Sequence, residues 1–276
     1  MGEKMDYLKL WEEQFLAAHG CQRRASQYYD DPANAARYDD SQPIRLDGER
    51  RAAAFGFEAD ATVLDIGPGP GTLALPLAPR VAQITAVEPS VGMRALLARH
   101  SQEQGVQNLR ILPTRWEDAD PQQVGVHDYV VASYSLNMPK IGPALKKMND
   151  LARKQVILYW FNGLASWEKL KVDLLPQTLG REFQPQPKSD LLYGCLCQLG
   201  ISAQVIPLTD TEFSYDYPTM EAAVDNLRGR LGLSGGFDTL LSEYIQAHYS
   251  PLPGGGWRFQ DHTYYVRLQW TKEGAQ

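Results

Sequence analysis

Three glycines at spacing two follow a short apolar run and give the strongest chemical signal in the chain. The run Val63–Ile66 is typical of a buried strand, and Asp65 places a carboxylate inside it. Gly67, Gly69 and Gly71 come directly afterwards. Glycine allows positive φ and a close approach of backbone to ligand, and a following helix would aim its unpaired N–H groups at that ligand. The pattern predicts the nucleotide-binding turn of an open α/β sheet.

The glycine spacing alone leaves two classes of nucleotide open. A dinucleotide fingerprint reads G-x-G-x-x-G or G-x-G-x-x-A. The register that begins at Gly67 has Thr72 in its last position and fails, whereas the register Gly69, Gly71 and Ala74 matches the second form. The glycine spacing by itself therefore does not exclude a nicotinamide-dependent oxidoreductase.

The fuller pattern D-x-G-x-G-x-G, which runs from Asp65 through Pro68 to Gly71, resembles motif I of class I S-adenosylmethionine-dependent methyltransferases. The resemblance continues through four ordered motifs from Asp60 to about Gly163. It implies an α/β fold with a doubly wound, mostly parallel seven-stranded sheet and one antiparallel strand, the Rossmann-like methyltransferase fold. It also implies S-adenosyl-L-methionine as the cofactor.

An acid ends the second predicted strand. Glu88 lies 17 positions after Gly71 and is followed by Pro89. A carboxylate there can accept hydrogen bonds from both ribose hydroxyls. Nicotinamide enzymes place an acid at the same point, so Glu88 alone does not separate the two cofactors. With motif I upstream, the resemblance assigns Glu88 to the cofactor ribose and Met93, on the next helix, to an apolar contact.

Two further strand ends complete the predicted site. Beyond the third strand, Leu109–Leu112, the resemblance places Trp116 and Glu117 around the adenine. The fourth strand, within 127–136, carries Ser133 and Tyr134 at its ligand-facing end. The sequence does not identify a catalytic residue: among the polar candidates at the strand ends, Tyr134, Ser135, Asn137 and Asn162, we expect all but Tyr134 only to form hydrogen bonds in the pocket wall. His127 would lie at the opposite end of the strand, roughly 15–20 Å from the site, and we interpret it as a surface or boundary histidine.

Composition narrows the class of partner. The chain has 276 residues, a net charge of −6 and 43% apolar residues, which suffices for a large buried core. Nucleic acids normally bind a basic face, so we expect a small-molecule methyl acceptor and no nucleic acid. The start of the chain lacks an apolar signal region, and no window has the roughly 18 apolar residues of a membrane helix. We therefore expect a cytoplasmic protein that binds neither membrane nor metal.

The three cysteines are sparse and odd in number. They are expected to be reduced. Cys195 and Cys197 lie two positions apart on a predicted helix and should point to different faces. We interpret them as apolar fillers rather than metal ligands.

The chain divides into regions of different pattern. Residues 1–58 are amphipathic and aromatic, which predicts two or three helices acting as a lid, with Tyr29 or Tyr38 near the methionine end of the cofactor. Residues 59–276 form the predicted Rossmann-like methyltransferase domain, with a cap inserted at about 164–200 and 212–250. Nothing in the sequence indicates an oligomeric state.

The expected function is methyl transfer to a small molecule, achieved mainly by in-line positioning in a closed pocket. No dedicated acid or base is obligatory when the acceptor is already nucleophilic. A non-catalytic protein that binds S-adenosylmethionine is the alternative. A nicotinamide-dependent oxidoreductase is disfavoured because no recognisable set of hydride-transfer residues accompanies the glycines.

Overall fold

The computed structural model describes residues 5–19, 25–209 and 213–272, which form two compact units. Unit 1 comprises residues 1–162, 186–208 and 265–276, and unit 2 comprises residues 163–185 and 209–264. The strands are β1 Thr62–Ile66, β2 Gln83–Val87, β3 Leu109–Leu112, β4 His127–Ser133, β5 Ala152–Asn162, β6 Gln204–Leu208, β7 Phe213–Tyr217, β8 Ser250–Pro251, β9 Trp257–Asp261 and β10 Tyr264–Thr271.

The helices surround these strands in chain order. They are α1 Tyr7–His19, α2 Ala25–Tyr28, α3 Pro32–Asp39, α4 Gln42–Ala54, α5 Ala74–Leu77, α6 Val91–Glu103, α7 Pro121–Val124, α8 Ile141–Asp150, α9 Ser166–Leu179, α10 Ser189–Gln198, α11 Met220–Leu231 and α12 Asp238–His248. A 3-10 turn, Ala78–Arg80, extends α5.

The sheet of unit 1 has the predicted architecture. Its seven strands run in the order β3-β2-β1-β4-β5-β10-β6, and β10 is antiparallel to β6. Near the middle, β1 is parallel to both β2 and β4, and Ile66 pairs with Val87 on one side and Ala132 on the other. Both faces of these strands are buried, as their continuous apolar runs require. The predicted Rossmann-like methyltransferase fold is confirmed.

The register explains why distant segments of sequence meet. Because β1, β2 and β4 are parallel and in register, their carboxyl ends lie at one edge of the sheet. The glycine turn follows β1, Glu88 follows β2, and Ser133 ends β4. A backbone hydrogen bond joins the glycine turn to the end of β2, since Gly67 N donates to Val87 O at 2.9 Å.

The helices before β1 number four in the described part of the chain rather than the expected two or three, and they belong to unit 1. Trp11 of α1 is fully buried, and its indole N–H donates to Met138 O at 2.8 Å. Tyr7 N donates to the Gln198 side chain of α10 at 2.8 Å. A boundary at residue 58 therefore does not separate compact units.

The segments outside the sheet also divide differently from the expected cap at 164–200 and 212–250. Unit 2 takes 163–185 and 209–264, and α10 belongs to unit 1. The reason is packing, because a Cβ added at Gly194 would lie 2.3 Å from the Tyr7 ring. Unit 2 holds α9, α11 and α12 with a three-stranded sheet in the order β7-β9-β8.

Some side chains differ from expectation. His127 is buried, with ring nitrogens 2.9 Å from Thr85 Oγ1 and 3.1 Å from Gly125 O, so it joins strands rather than lying at the surface. Cys195 is buried as expected, whereas Cys197 is exposed because it faces outward on α10. Cys21 lies outside the described residues. Among the helices that the structure describes, none combines the length and apolar character that crossing a membrane requires.

Candidate functional site

The three glycines of the turn serve different purposes. All have positive φ, at 70° for Gly67, 59° for Gly69 and 96° for Gly71. A Cβ at Gly67 would lie 2.5 Å from Ser135 Cβ, and one at Gly71 would lie 2.6 Å from Leu75 atoms. At Gly69 the nearest atom is the Met93 sulfur at 3.9 Å. Gly67 and Gly71 are therefore required by packing, while Gly69 faces open space where a ligand can approach.

Asp65 is the most unusual side chain at this edge of the sheet. It is 2% exposed, and neither carboxylate oxygen has a hydrogen-bond partner among the described residues. Burial raises the pKa of Asp65 to about 7, the nearby charge of Arg51 opposes this shift, and Glu88 adds to it. An unpartnered buried carboxylate is costly, and this indicates a site built to receive a cationic or hydrogen-bond-donating group.

Arg51 of α4 is a site residue that the sequence reasoning missed. It is 8% exposed, and its Nε donates to Asp47 Oδ2 at 2.7 Å. Its Nη1 donates to Ser133 Oγ, and its guanidinium lies 5.1 Å from the Tyr134 ring centre and 4.9 Å from that of Tyr159. The arrangement fixes a positive charge beside Asp65.

One signal could have pointed to Arg51. Asp47 and Arg51 stand four positions apart, the spacing of a helical ion pair, and Gly48 lies between them. A Cβ at Gly48 would lie 2.1 Å from Thr72 O, so the glycine lets α4 pack directly on the backbone after the glycine turn. The helix is thereby held against the site.

Glu88 stands where the sequence places it, at the end of β2. It is 5% exposed, and its oxygens accept hydrogen bonds from Gly69 N at 3.0 Å and from Ser90 N at 2.9 Å. Burial raises the pKa of Glu88, and these two backbone N–H groups oppose the shift. Each oxygen keeps a further lone pair for a ligand hydroxyl. Pro89 O accepts from Arg94, and Met93 is buried beside the turn.

The segment with Tyr29 and Tyr38 lies against the same edge. Val91 N donates to Asp30 Oδ1 at 2.9 Å, and a Cβ at Gly92 would lie 2.3 Å from Tyr29 O. The rings of Tyr29 and Tyr38 meet edge to face at 5.6 Å. Burial raises the pKa of Tyr29, with smaller contributions from neighbouring tyrosines and from Glu88, so this ring lies within electrostatic range of the Glu88 carboxylate.

Trp116 and Glu117, the two residues expected to hold adenine, differ in burial: the first is buried and the second is exposed. Trp116 is 2% exposed, and its indole N–H donates to Ala144 O at 3.2 Å. The ammonium of Lys147 lies 4.6 Å from the centre of that ring. Trp116 thus packs in the core cluster of unit 1, while Glu117 is exposed. The structure shows a packing role for Trp116, and the adenine contacts of both residues stay a prediction.

Tyr134 has a strained backbone at the end of β4. Its φ of 55° is unusual for a residue with a side chain. The hydroxyl is buried and has no hydrogen-bond partner among the residues that the structure describes. Burial raises the pKa of Tyr134, against an opposing effect of Arg51. The phenol therefore stays protonated at neutral pH and can donate a hydrogen bond, but it is poorly suited to act as a base.

Comparison with known proteins identifies the central part of the chain. Residues 63–155 match the model of a methyltransferase domain. Over 105 residues the chain is 35% identical to an uncharacterized protein of Haemophilus influenzae, covering 38% of this chain and 39% of that protein. It is 29% identical over 150 residues to ribosomal RNA small subunit methyltransferase A of Legionella pneumophila, covering 48% of this chain and 58% of that enzyme. The chain thus spans less than two thirds of either relative.

Solved structures share the fold at low identity. Magnesium protoporphyrin IX methyltransferase of Synechocystis, with bound S-adenosylhomocysteine, gives a TM-score of 0.55 at 15% identity, covering 97% of this chain and 100% of that one. The YcgJ protein of Bacillus subtilis gives 0.57 at 15% identity, covering 82% and 98%. The matched residues 63–155 and the seven-stranded sheet identify this part of the chain as a class I S-adenosylmethionine-dependent methyltransferase domain, whose cofactor is S-adenosylmethionine.

Proposed function

We propose that the chain transfers a methyl group from S-adenosylmethionine to a small-molecule acceptor. The observation that supports this most strongly is the buried, unpartnered carboxylate of Asp65 beside the open space at Gly69. A buried carboxylate without a hydrogen-bond partner suits a cofactor that carries a cationic group. The net charge of −6 favours a small acceptor over a polyanion.

The residues present fit this cofactor. When bound, S-adenosylmethionine would supply an electrophilic methyl group on a sulfonium. Asp65, once ionised, would compensate positive charge on the cofactor, and Glu88 would hold the ribose hydroxyls while Met93 contacts the cofactor. Tyr134 would donate a hydrogen bond from a neutral phenol. Catalysis would then rest on alignment of the acceptor with the methyl carbon and on exclusion of water.

A product assay tests the proposal. Purified protein with S-adenosylmethionine should release S-adenosylhomocysteine when a pool of small amine, thiol, phenol and carboxylate acceptors is added. Ribosomal RNA is a necessary second arm, because part of the chain resembles the Legionella enzyme. Release only with RNA would contradict the small-molecule proposal. Cofactor binding without release in any arm would favour the non-catalytic alternative.

Glu88→Ala should weaken binding of S-adenosylhomocysteine by roughly 1.5–3 kcal/mol, the scale of hydrogen bonds to a charged group. The substitution also removes the acceptors of Gly69 N and Ser90 N, so calorimetry should be accompanied by thermal unfolding. Glu103→Ala, which removes an exposed acid from the last turn of α6, is the matched control. If Glu88→Ala bound S-adenosylhomocysteine normally, Glu88 would not be the residue that holds the ribose hydroxyls.

We propose further that the segment with Tyr29 and Tyr38 covers the cofactor. Its contacts to the start of α6 place it beside Glu88. A covering element that orders on binding would shield the methyl group from water. Amide exchange across residues 25–40 should therefore slow when S-adenosylhomocysteine binds, with α1 as the internal reference. If protection from exchange were confined to the glycine turn and Glu88, the segment with Tyr29 and Tyr38 would not cover the cofactor.

A further inference from the structure

One lysine of α8 holds the loop that follows β3. Lys147 lies in the last turn of α8, and its ammonium donates hydrogen bonds to backbone oxygens of residues 116–119, which we call the β3 loop. The acceptors are the carbonyl oxygens of Trp116, of Glu117 at 3.2 Å and of Ala119 at 2.9 Å. An ammonium group has three N–H donors and no acceptor. The β3 loop therefore takes up the full hydrogen-bonding capacity of Lys147.

The β3 loop is also packed on α8 through its aromatic residue. The indole N–H of Trp116 donates to Ala144 O at 3.2 Å, and the Lys147 ammonium lies 4.6 Å from the centre of that ring, which is a cation–π distance. Trp116 and Ala119 are buried, whereas the Glu117 side chain is exposed. These contacts fix the backbone of Glu117 and leave its carboxylate accessible.

The register of the sheet places the β3 loop on one side of Glu88. Val87 of β2 pairs with Leu112 of β3, and Glu88 N donates to Leu112 O at 3.1 Å. The glycine turn, with Gly69, lies on the other side, because β1 and β3 flank β2. A cofactor whose ribose binds Glu88 and whose methionine group lies at the glycine turn therefore extends its adenine toward the β3 loop.

Glu117 is the acid of the β3 loop that is available to the base. The other acid, Asp118, accepts a hydrogen bond from Arg115 Nε at 2.7 Å. Among the described residues, the Glu117 carboxylate has neither a hydrogen-bond partner nor an ion pair. Burial lowers the pKa of Lys147, and the charges of Glu117 and Asp118 oppose this shift, so its ammonium lies within electrostatic range of both carboxylates. A carboxylate at this point can accept a hydrogen bond from the amino group of adenine.

We propose that Lys147 is a positioning residue for the adenine end of the cofactor. Its three hydrogen bonds hold the backbone of the β3 loop, so that the Glu117 carboxylate meets the amino group of the base. Without the ammonium, three carbonyl oxygens lose their donor and the loop gains freedom that cofactor binding must then remove. The inference concerns cofactor binding, and it rests on the predicted contact of Glu117 with adenine.

The test is a binding measurement, so its outcome does not depend on methyl transfer. S-adenosylhomocysteine and its purine analogue, in which hydrogen replaces the amino group of the base, are titrated into the full chain by calorimetry. The wild type should bind S-adenosylhomocysteine about tenfold or more tightly than the analogue, the scale of a hydrogen bond to a charged group. Lys147→Met should reduce that preference to about threefold or less. Lys146→Met, which removes an exposed charge one position earlier on the same helix, should keep it.

The preference for the amino group separates positioning from a merely structural role. If Lys147 only supported the fold, its loss would lower stability and weaken both ligands by the same factor. A folded Lys147→Met protein that keeps the full preference would therefore overturn the proposal. Lys147→Gln, whose amide has two N–H donors and no charge, replaces a methionine variant that does not fold. It should show an intermediate preference, and an unchanged preference there would count against the proposal in the same way.

Glu117→Ala shows whether Lys147 acts through the Glu117 carboxylate. The single variant should lose the preference, and Lys147→Met added to it should change the preference no further, because residues in one chain of contacts do not act additively. A preference that survives Glu117→Ala, or that the wild type lacks, would also overturn the proposal. If the wild type shows the expected preference but yields no product with any acceptor, the proposed methyl transfer fails and the role of Lys147 stands.

Discussion

Asp65→Asn should stabilise the cofactor-free protein by about 4 kcal/mol at about pH 8 while it abolishes tight binding of the cofactor. Asp65 is buried without a partner, and burial raises its pKa to about 7. Ionisation of this carboxyl in the empty site is therefore unfavourable. Asparagine has the same shape and no charge, so it removes that cost together with the charge that a cationic ligand needs.

The pH dependence has a definite sign. An unfolded chain loses the Asp65 proton near its ordinary pKa of about 3.9, whereas the folded chain retains it until about pH 7. The contribution of this retained proton to the free energy of unfolding is complete below about pH 4 and is lost as the pH rises to about 7. The difference in unfolding free energy between Asp65→Asn and wild type should accordingly be near zero at about pH 4 and largest above about pH 7.

Denaturant unfolding of the wild type and of Asp65→Asn across this range would measure the effect. Asp60→Asn is the control, because this acid is exposed and lies outside the site. A stability difference that does not change with pH would show that Asp65 is ionised at little cost in the free protein. The electrostatic account of the site would then be wrong.

Gly69→Val should abolish binding of S-adenosylhomocysteine and leave a folded protein. The space next to Gly69 is open apart from the Met93 sulfur, 3.9 Å from the position of an added Cβ. The new side chain would occupy ligand space. It would also strain the backbone, since φ is 59°, at a cost of roughly 1–3 kcal/mol.

Gly71→Val is the matched comparison, because its side chain would overlap Leu75 and Leu97 in the core. It should lower stability by roughly 1–3 kcal/mol more than Gly69→Val does, the usual range for overpacking. Circular dichroism and thermal unfolding would report the fold of both variants, and Gly69→Ala would replace a valine variant that does not fold. Full cofactor affinity in a folded Gly69→Val protein would show that the turn does not contact the ligand.

The sheet and half of the site could be predicted because their signals are local. The strand before Gly67 and the acid at Glu88 are each set by a few consecutive residues, and parallel strands necessarily bring their ends together. Asp65 was recognisable from the same short pattern. Its missing hydrogen-bond partners were not, because burial depends on residues far along the chain.

Arg51 and the division into units depend on long-range packing. Arg51 reaches Ser133, which lies 82 positions away, only because Gly48 lets α4 contact the glycine turn. The cap prediction at 164–200 joined α9 and α10 in one region because they are close in sequence. The contact of Tyr7 with Gly194 places α10 in unit 1, and no local pattern carries that information.

Calorimetric titration of the wild-type protein with S-adenosylhomocysteine, in two buffers of different ionisation enthalpy at about pH 7, tests the central claim most directly. We expect one binding site and release of roughly half a proton, since Asp65, with a pKa of about 7, must ionise to pair with a cationic group of the ligand. Asp65→Asn should show no tight binding in the same titration. Absence of binding, or heat with NAD and none with S-adenosylhomocysteine, would contradict the account.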